Sequence, residues 1–250
     1  MGMTPENART VAQDDIQRLI VEHASEDPAA LALKWHGRSD LPVKEIAEQL
    51  ACRRRAKGKL PSIACGSFVY EREALEICSS EATAAYKSRV MSGTRLIDMT
   101  GGLGIDSLFL SNSFDEVVYC ERDAGLCEVF RANLRFRAAA NVAVREGDSL
   151  NILSSCADSS FDWLYADPKR RESGRRSVAL ERSSPNVVAH RELFLRKARN
   201  VCVKCSPMLD LTKAIAQFVD VSKVIVVSVD GEQVLNEIVG ADAAELGHLE

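Results

Sequence analysis

The sequence predicts an α/β fold in which a mostly parallel sheet is covered by helices on both faces. From residue 94 onward, short apolar runs of strand length alternate with amphipathic stretches of helix length, a pattern typical of parallel sheets with crossover helices. The first apolar run is followed by three glycines among the four residues 101–104. Glycines in this position indicate a tight turn between a strand and a helix.

Each element of the predicted sheet has its own local signal. Asp230 and Gly231 form a hairpin-turn signal, so residues 234–239 are expected to return as an antiparallel seventh strand. Helices are predicted over residues 105–114, 124–139, 186–198 and 206–219. The remaining strands are predicted over residues 95–99, 116–120, 142–145, 162–166, 200–204 and 224–229.

The preceding region, residues 1–92, is predicted to be a helical accessory domain, with the sheet domain over residues 93–250. Asp27 followed by Pro28 is a signal for the start of a helix, and residues 61–66 are expected to be a break. Residues 53–59 include five cations. This basic run is either a solvated helix end or a contact with a phosphate backbone.

Composition limits the function classes that fit this chain. The 250 residues are 46% hydrophobic and carry a net charge of -4, so a nucleic-acid partner would have to meet a local basic patch. The N-terminus lacks the apolar core of a signal peptide, and no run reaches the length of a membrane span. We therefore expect a cytoplasmic protein with no membrane partner. Cys202 and Cys205 form a single CxxC without a second ligand pair, so no metal site is expected.

Polar residues follow the carboxyl ends of the predicted strands, where ligands bind in open α/β sheets. Glu121 lies 17 residues after Gly104, a distance at which an acid accepts hydrogen bonds from both hydroxyls of a ribose. The polar residues at successive strand ends are Asp98 and Thr100, Glu121, Asp148, Asp167 and Lys204.

A dinucleotide dehydrogenase is the first competing interpretation, and the glycine spacing argues against it. The turn lacks the third glycine of the G-x-G-x-x-G pattern. The negative charge of Asp98 would also repel a pyrophosphate. A ligand with a cationic centre or with hydroxyl groups suits this turn better.

These motifs resemble those of class I S-adenosylmethionine-dependent methyltransferases. The resemblance covers residues 78–240 and rests on residues 98–106, 118–122, 147–149 and 167–168. Residues 79–87 and 204–210 further resemble bacterial RNA methyltransferases, including rRNA guanine-N2 enzymes and the THUMP-like-domain group. The resemblance implies a Rossmann-like sheet of seven strands, S-adenosylmethionine as cofactor, and RNA (rRNA or tRNA) as partner.

The resemblance also implies a role for each motif residue. Asp167, held by the rigid Pro168, would orient the N–H of a target base amine as the catalytic residue. Substrate binding is expected from Lys169, Arg170, Arg171 and Lys204. Cofactor binding is expected from Asp98, Thr100, Gly101, Gly102, Leu103, Gly104, Glu121, Arg122, Asp148 and Ser149.

One departure from the family pattern leaves the target open. Amino-group methyltransferases usually have an aromatic residue shortly after the Asp-Pro element, whereas here Lys169, Arg170 and Arg171 follow. Residues 169–182 hold six cations against two acids, which indicates either an RNA-gripping loop or a solvated loop. The alternatives are a C5-pyrimidine methyltransferase using Cys205, a small-molecule methyltransferase, and a degenerate fold that serves as an RNA-binding module.

Overall fold

The computed structural model describes residues 2–64, 66–170, 183–206, 211–218, 221–229 and 232–241. Nine strands occur in this part of the chain. In sequence order they are β1 (Gly93–Asp98), β2 (Phe114–Glu121), β3 (Val142–Glu146), β4 (Phe161–Ala166), β5 (Lys169–Arg170), β6 (Ser183–Ser184), β7 (Ala198–Cys205), β8 (Val221–Val229) and β9 (Glu232–Ala241).

Seven of these strands form one sheet in the order β3-β2-β1-β4-β7-β9-β8, and β5 pairs with β6 in a small antiparallel ribbon. The first five strands of that order are parallel, whereas β9 runs antiparallel to β7 and β8 antiparallel to β9. The predicted α/β class with a parallel sheet is therefore confirmed. The strand order reverses between β1 and β4, and ligands bind at such a crevice in doubly wound sheets.

Helices cover both faces of the sheet. Successive residues of its central strand, β1, point to opposite faces and are apolar, so both faces have to be buried. Leu96 packs with Met91 and Leu110 on one face, and Ile97 packs with Leu153 and Phe194 on the other. The first face carries α7 (Glu81–Val90), α8 (Ile105–Leu110) and α9 (Ala124–Arg137). The second carries α10 (Ser149–Ser155), α11 (Arg191–Lys197) and α12 (Leu211–Phe218).

Six further helices precede α7 in the described part of the chain. Four of them share a hydrophobic cluster with the sheet region, whereas the second and third pack with the fourth in a separate cluster. Ala8, Cys52 and Phe130, from three different helices, belong to the shared cluster. The division of the chain into domains at residue 92 stays a prediction. The six helices are α1 (Pro5–Val11), α2 (Asp14–Glu22), α3 (Pro28–Lys34), α4 (Val43–Lys59), α5 (Pro61–Ala64) and α6 (Arg72–Ile77).

Local signals explain most of the element ends and also two errors. Asp27 caps α3 by accepting from two backbone N–H groups, with Pro28 as the first helical residue, as predicted. The break expected at residues 61–66 was wrong, because Pro61–Ala64 is a short helix. The helix expected from residue 186 begins only at Arg191, after a turn. The hairpin turn at residues 230–231 and the loop at 171–182 lie outside the described residues.

The basic run at residues 53–59 is used within the N-terminal helices. Arg53 is buried and donates to Gln17 Oε1 at 2.7 Å, and Arg55 pairs with Glu76 at 2.8 Å. Lys59 donates to the last carbonyl groups of α6, at Leu75 and Glu76. These contacts favour an internal structural role for the basic run over a phosphate contact.

Candidate active site

The turn after β1 needs two of its glycines because aromatic rings occupy the space beside them. A Cβ at Gly101 would lie 2.3 Å from the ring of Tyr119, and a Cβ at Gly104 would lie 2.1 Å from the ring of Phe130. The two rings stack with centroids 4.1 Å apart. The turn is thus packed onto this aromatic pair, and the buried Leu103 lies between the two glycines.

Gly102 has a different reason to be glycine. Its φ of +56° lies in the left-handed region, and a Cβ there would meet nothing closer than the Thr100 carbonyl oxygen at 3.7 Å. Its N–H donates to Glu121 Oε2 at 2.9 Å, and its carbonyl oxygen accepts from the Tyr119 hydroxyl at 2.6 Å. The backbone at Gly102 is therefore fixed, and a Cβ there would make only an ordinary van der Waals contact.

Glu121 ends β2 with its carboxylate fixed by three backbone N–H donors. Oε1 accepts from Arg122 at 2.8 Å and Asp123 at 2.9 Å, and Oε2 accepts from Gly102. A carboxylate has about four acceptor positions, so Oε2 retains one for a hydroxyl group. The residues present thus fit a cofactor that places a ribose here and passes its chain beside Gly102.

The end of β3 lies next to Glu121, because the Gly147 N–H donates to the Glu121 carbonyl oxygen at 2.9 Å. Asp148 is exposed and caps α10 by accepting from the Asn151 N–H at 3.1 Å, with Ser149 as the first helical residue. Arg122 is exposed. The structure therefore brings the predicted ribose and adenine residues to neighbouring strand ends at one edge.

Asp98 is at the predicted turn, but it lies inside the protein with only 1% of its surface exposed. Its carboxylate accepts from the Thr100 N–H at 2.9 Å and from the Ser107 hydroxyl at 2.6 Å. Burial raises the pKa of Asp98 to about 7, although these two hydrogen bonds act in the opposite direction. The structure gives Asp98 a role in holding the turn, and its direct contact with a cofactor stays a prediction.

Asp167 directly follows β4 and contacts both the glycine turn and β7. Its N–H donates to the Thr100 hydroxyl at 2.7 Å, and its Oδ2 accepts from Lys204 Nζ at 2.6 Å. The side chains of Asp167 and Lys204 are 33% and 15% exposed. Burial disfavours the charge on Lys204, but Asp167 and Asp106 outweigh that effect, so the pKa of Lys204 is raised. We call Lys204 and Asp167 the outer pair.

A second ion pair lies directly behind the outer pair, and its role was not predicted. Lys87 Nζ is 2.8 Å from Asp106 Oδ1, with the lysine side chain 0% exposed and the aspartate side chain 11% exposed. Burial opposes ionisation of Asp106, but Lys87 and Lys204 outweigh it and lower its pKa. The Tyr165 hydroxyl donates to Asp106 Oδ2 at 3.0 Å and accepts from Lys87 at 3.2 Å. We call Lys87 and Asp106 the inner pair.

The remaining predicted residues are only partly described. Lys169 is exposed in β5 and Pro168 is partly exposed. The backbone of Arg170 pairs with that of Ser183. Arg171 lies outside the described residues, as does the rest of the cationic stretch up to residue 182.

Cys205 lies on the opposite side of β7 from Lys204, because successive strand residues point to opposite faces. It is 5% exposed and belongs to an apolar cluster with Val203 and Ala166. This placement counts against the C5-pyrimidine mechanism. In the described ranges, His, Cys, Asp and Glu side chains form no group of three suited to a metal ion. No helix within those ranges has the length and apolarity to cross a membrane.

Comparisons with known proteins support this description of the fold. No family model matches the chain. Two curated relatives from Mycobacterium tuberculosis, strains CDC 1551 and H37Rv, are each named an uncharacterised S-adenosylmethionine-dependent methyltransferase. Each is 25% identical over 169 residues, covering 66% of this chain and 45% of the relative. The chain thus spans under half the length of these relatives.

One solved structure is similar over nearly the whole chain. It belongs to a protein from Porphyromonas gingivalis W83 whose name gives methyltransferase as a provisional activity. The similarity has a TM-score of 0.77 and 27% identity, and it covers 91% of this chain and 57% of that one. The α/β fold of the chain is therefore that of class I S-adenosylmethionine-dependent methyltransferases.

Proposed function

We propose that this chain transfers a methyl group from S-adenosylmethionine to a base nitrogen in RNA. One observation carries the proposal: the aspartate after β4 is joined through its backbone to the glycine turn and through its carboxylate to a lysine at the end of β7. Asp167 contacts Thr100 through its backbone N–H and Lys204 through its side chain. A group that receives a substrate N–H would thus stand beside the turn that holds the cofactor.

The cofactor supplies a methyl group that is already activated by its bond to a sulfonium. The work of the chain is then positioning, which is worth roughly 7–11 kcal/mol in well-oriented reactions. Glu121 would accept from one ribose hydroxyl through the free acceptor position on Oε2, and Asp148 would accept from the adenine amine. The residues that frame the site would be Thr100, Gly101, Gly102, Leu103, Gly104, Arg122 and Ser149, with Asp98 holding the turn.

Asp167 would orient the target nitrogen. An ionised carboxylate only accepts hydrogen bonds, so Asp167 would receive an N–H of the base amine and direct the nitrogen lone pair towards the methyl group. Lys204 Nζ donates to Asp167 Oδ2 at 2.6 Å and so fixes this oxygen of the carboxylate. Pro168 restricts the backbone of the residue before it, Asp167, which helps to fix the carboxylate.

An RNA substrate is proposed because cations follow Asp167 directly in the sequence. Lys169 is exposed in the strand that begins two residues after Asp167, and five more cations follow up to residue 182. Cations favour binding of the phosphate backbone. The motif resemblance to bacterial RNA methyltransferases supports the same substrate class. A small-molecule methyltransferase would leave these cations without a purpose.

The proposal is tested in two steps, cofactor binding and methyl transfer. In isothermal titration we expect the wild-type protein to bind S-adenosylmethionine, and Glu121→Ala to weaken binding at least about tenfold through loss of charge-assisted hydrogen bonds. Asp115→Ala is the matched control, because Asp115 is an exposed acid at the opposite end of the same strand. Absence of any heat with wild-type protein at millimolar cofactor would exclude the proposal.

The second step uses radiolabelled S-adenosylmethionine and total RNA from a strain that lacks the gene. We expect label in base-methylated nucleosides with wild-type protein and none with Asp167→Ala. Cofactor binding and RNA binding without transfer would instead support an RNA-binding module. Absence of label in RNA with a protein that binds the cofactor but not RNA would argue against RNA as substrate, and transfer to RNA that is unchanged when Lys169, Arg170 and Arg171 are replaced by Ala would show that these cations do not bind it.

A further inference from the structure

The side chain of Ser79 hydrogen-bonds to members of both the inner pair and the outer pair. Its hydroxyl donates to Asp106 Oδ2 at 2.8 Å and accepts from Lys87 Nζ at 3.0 Å and from Lys204 Nζ at 3.2 Å. A serine hydroxyl has one donor and two acceptor positions, so these three bonds use its whole capacity. Ser79 is buried, with 4% of its surface exposed.

The inner pair fixes the position of the Ser79 hydroxyl. Lys87 is held by Asp106 and Tyr165 as well as by Ser79, and its ring contact with Tyr165 places Nζ 5.2 Å from the ring centroid. Ser79 itself immediately precedes α7, whose N-cap is Ser80. The hydroxyl therefore has little freedom to follow a movement of Lys204.

Lys204 has two competing sets of partners. Asp167 lies on its solvent side, whereas Ser79 and the charge of Asp106 lie on its inner side. When a substrate N–H approaches Asp167, the carboxylate must turn an oxygen towards it. Without an inner partner, Lys204 would follow the carboxylate and compete with the substrate for it.

We propose that Ser79 is a positioning residue that retains Lys204 on the inner pair while Asp167 receives the substrate. Ser79 does not reach the reacting atoms itself; it acts through Lys204. The inference rests on the proposed methyl transfer. It assigns a function to the start of α7, 125 residues away from Lys204 in sequence.

Two adjacent serines offer a matched pair of variants for the kinetic test. Ser79→Ala removes the contact with Lys204 together with those to Asp106 and Lys87. We expect it to lower kcat for transfer to total RNA by about 10- to 100-fold, the effect of losing the charge-assisted hydrogen bond to Lys204. The KM for S-adenosylmethionine should stay unchanged. Ser80→Ala removes only the cap of α7, so it should lower Tm and leave kcat at the wild-type value.

A double variant tests whether Ser79 acts through Lys204. In a Lys204→Met background, Ser79→Ala should cause no further loss of kcat, because the ammonium that Ser79 retains is absent. Effects that multiply would show that Ser79 acts independently and would overturn the inference. If Ser79→Ala does not fold, Ser79→Cys fills the same space with a weaker acceptor and should show a smaller loss. A wild-type kcat for either Ser79 variant would also overturn it.

A readout without activity separates this inference from the proposed function. The groups that face Lys204 in the described residues are Asp167, Asp106, Cys78 and, across Ser79, Lys87. Carbon NMR of labelled lysines, assigned with Lys204→Arg, should show a lower pKa for Lys204 in Ser79→Ala than in wild type or Ser80→Ala. Equal pKa values would overturn the inference even if transfer occurs. Absence of transfer by wild-type protein would instead refute the proposed function.

Discussion

The inner and outer pairs have the same chemistry and lie side by side, yet they differ in exposure. Each joins a lysine to an aspartate with a nitrogen–oxygen distance below 3 Å. Lys87 is fully buried and Asp106 nearly so, whereas a third of the Asp167 side chain is exposed. The inner pair joins α7 to α8 in the interior of the protein. The outer pair lies at the carboxyl ends of the strands, where ligands bind in such sheets.

This difference shows that position, and not the type of ion pair, decides what the pair does. A buried pair is strong only while both partners are present, because removal of one leaves a charge without compensation. An exposed pair contributes little to stability but stays available to a ligand. We therefore expect changes to the inner pair to affect folding and changes to the outer pair to affect catalysis.

The largest expected effect is the loss of the inner lysine. Lys87→Met leaves Asp106 buried without its cation and should lower the free energy of unfolding by about 3–5 kcal/mol. Urea denaturation measures this value. The double variant Lys87→Met/Asp106→Leu removes both charges and should recover most of the stability. A single variant as stable as wild type would contradict the structural role of the inner pair.

Asp98, the buried acid of the glycine turn, should make the stability of the protein depend on pH. Burial raises its pKa from 3.8 to about 7, so the folded protein keeps a proton that the unfolded chain releases. This contribution to stability is complete below pH 4 and is lost as the pH rises through 7. The loss should reach up to about 4 kcal/mol relative to Asp98→Asn, measured by urea denaturation between pH 4 and 8. Parallel pH profiles for the two proteins would contradict the burial of this carboxylate.

The outer pair should show the opposite balance between stability and activity. Asp167→Ala should lower the transfer rate at least about 100-fold, because the substrate N–H loses its acceptor. The free energy of unfolding should change by less than the loss expected for Lys87→Met, since Lys204 keeps Ser79 and the charge of Asp106 as partners. Rate assays and urea denaturation on one preparation test both values. A variant that is unstable but active would reverse the assignment of the two pairs.

The smallest effect on stability is expected for an ion pair of the same length at the surface. Arg55 and Glu76 are 2.8 Å apart, the distance found in the inner pair, but both side chains are more than half exposed. Glu76→Ala should therefore change the free energy of unfolding by less than about 1 kcal/mol. A loss as large as that of Lys87→Met would mean that distance, and not burial, sets the strength of these pairs.

The residues at the carboxyl edge of the sheet could be predicted from the sequence, whereas the inner pair could not. Strand-end residues such as Glu121, Asp148, Asp167 and Lys204 follow from alternation and from the glycine turn, because the carboxyl ends of parallel strands meet at one edge. The inner pair is completed by a residue far away in sequence: Tyr165, which hydrogen-bonds to both members of the pair, lies 78 residues after Lys87. A lysine on a helix is normally exposed, so nothing local marks Lys87 as buried.

For the glycine turn, the sequence predicted that the turn exists but not how each of its glycines is packed. The turn itself was predicted from three glycines, but the sequence does not tell which of them are packed too tightly for a Cβ. The structure separates them, because Tyr119 and Phe130 exclude a Cβ at Gly101 and Gly104, whereas a Cβ at Gly102 would make only an ordinary contact at 3.7 Å. That distinction depends on aromatic side chains from β2 and α9, which reach the turn only in the folded chain.

Mass spectrometry of nucleosides tests the central claim most directly. Total RNA from a strain that lacks the gene should be missing one nucleoside with a methyl group on a base nitrogen. Wild-type protein should restore that nucleoside, Asp115→Ala should restore it as well, and Asp167→Ala should not. An unchanged set of nucleosides, or the loss of a methyl group on ribose or on C5 of a pyrimidine, would contradict the proposed transfer to a base nitrogen.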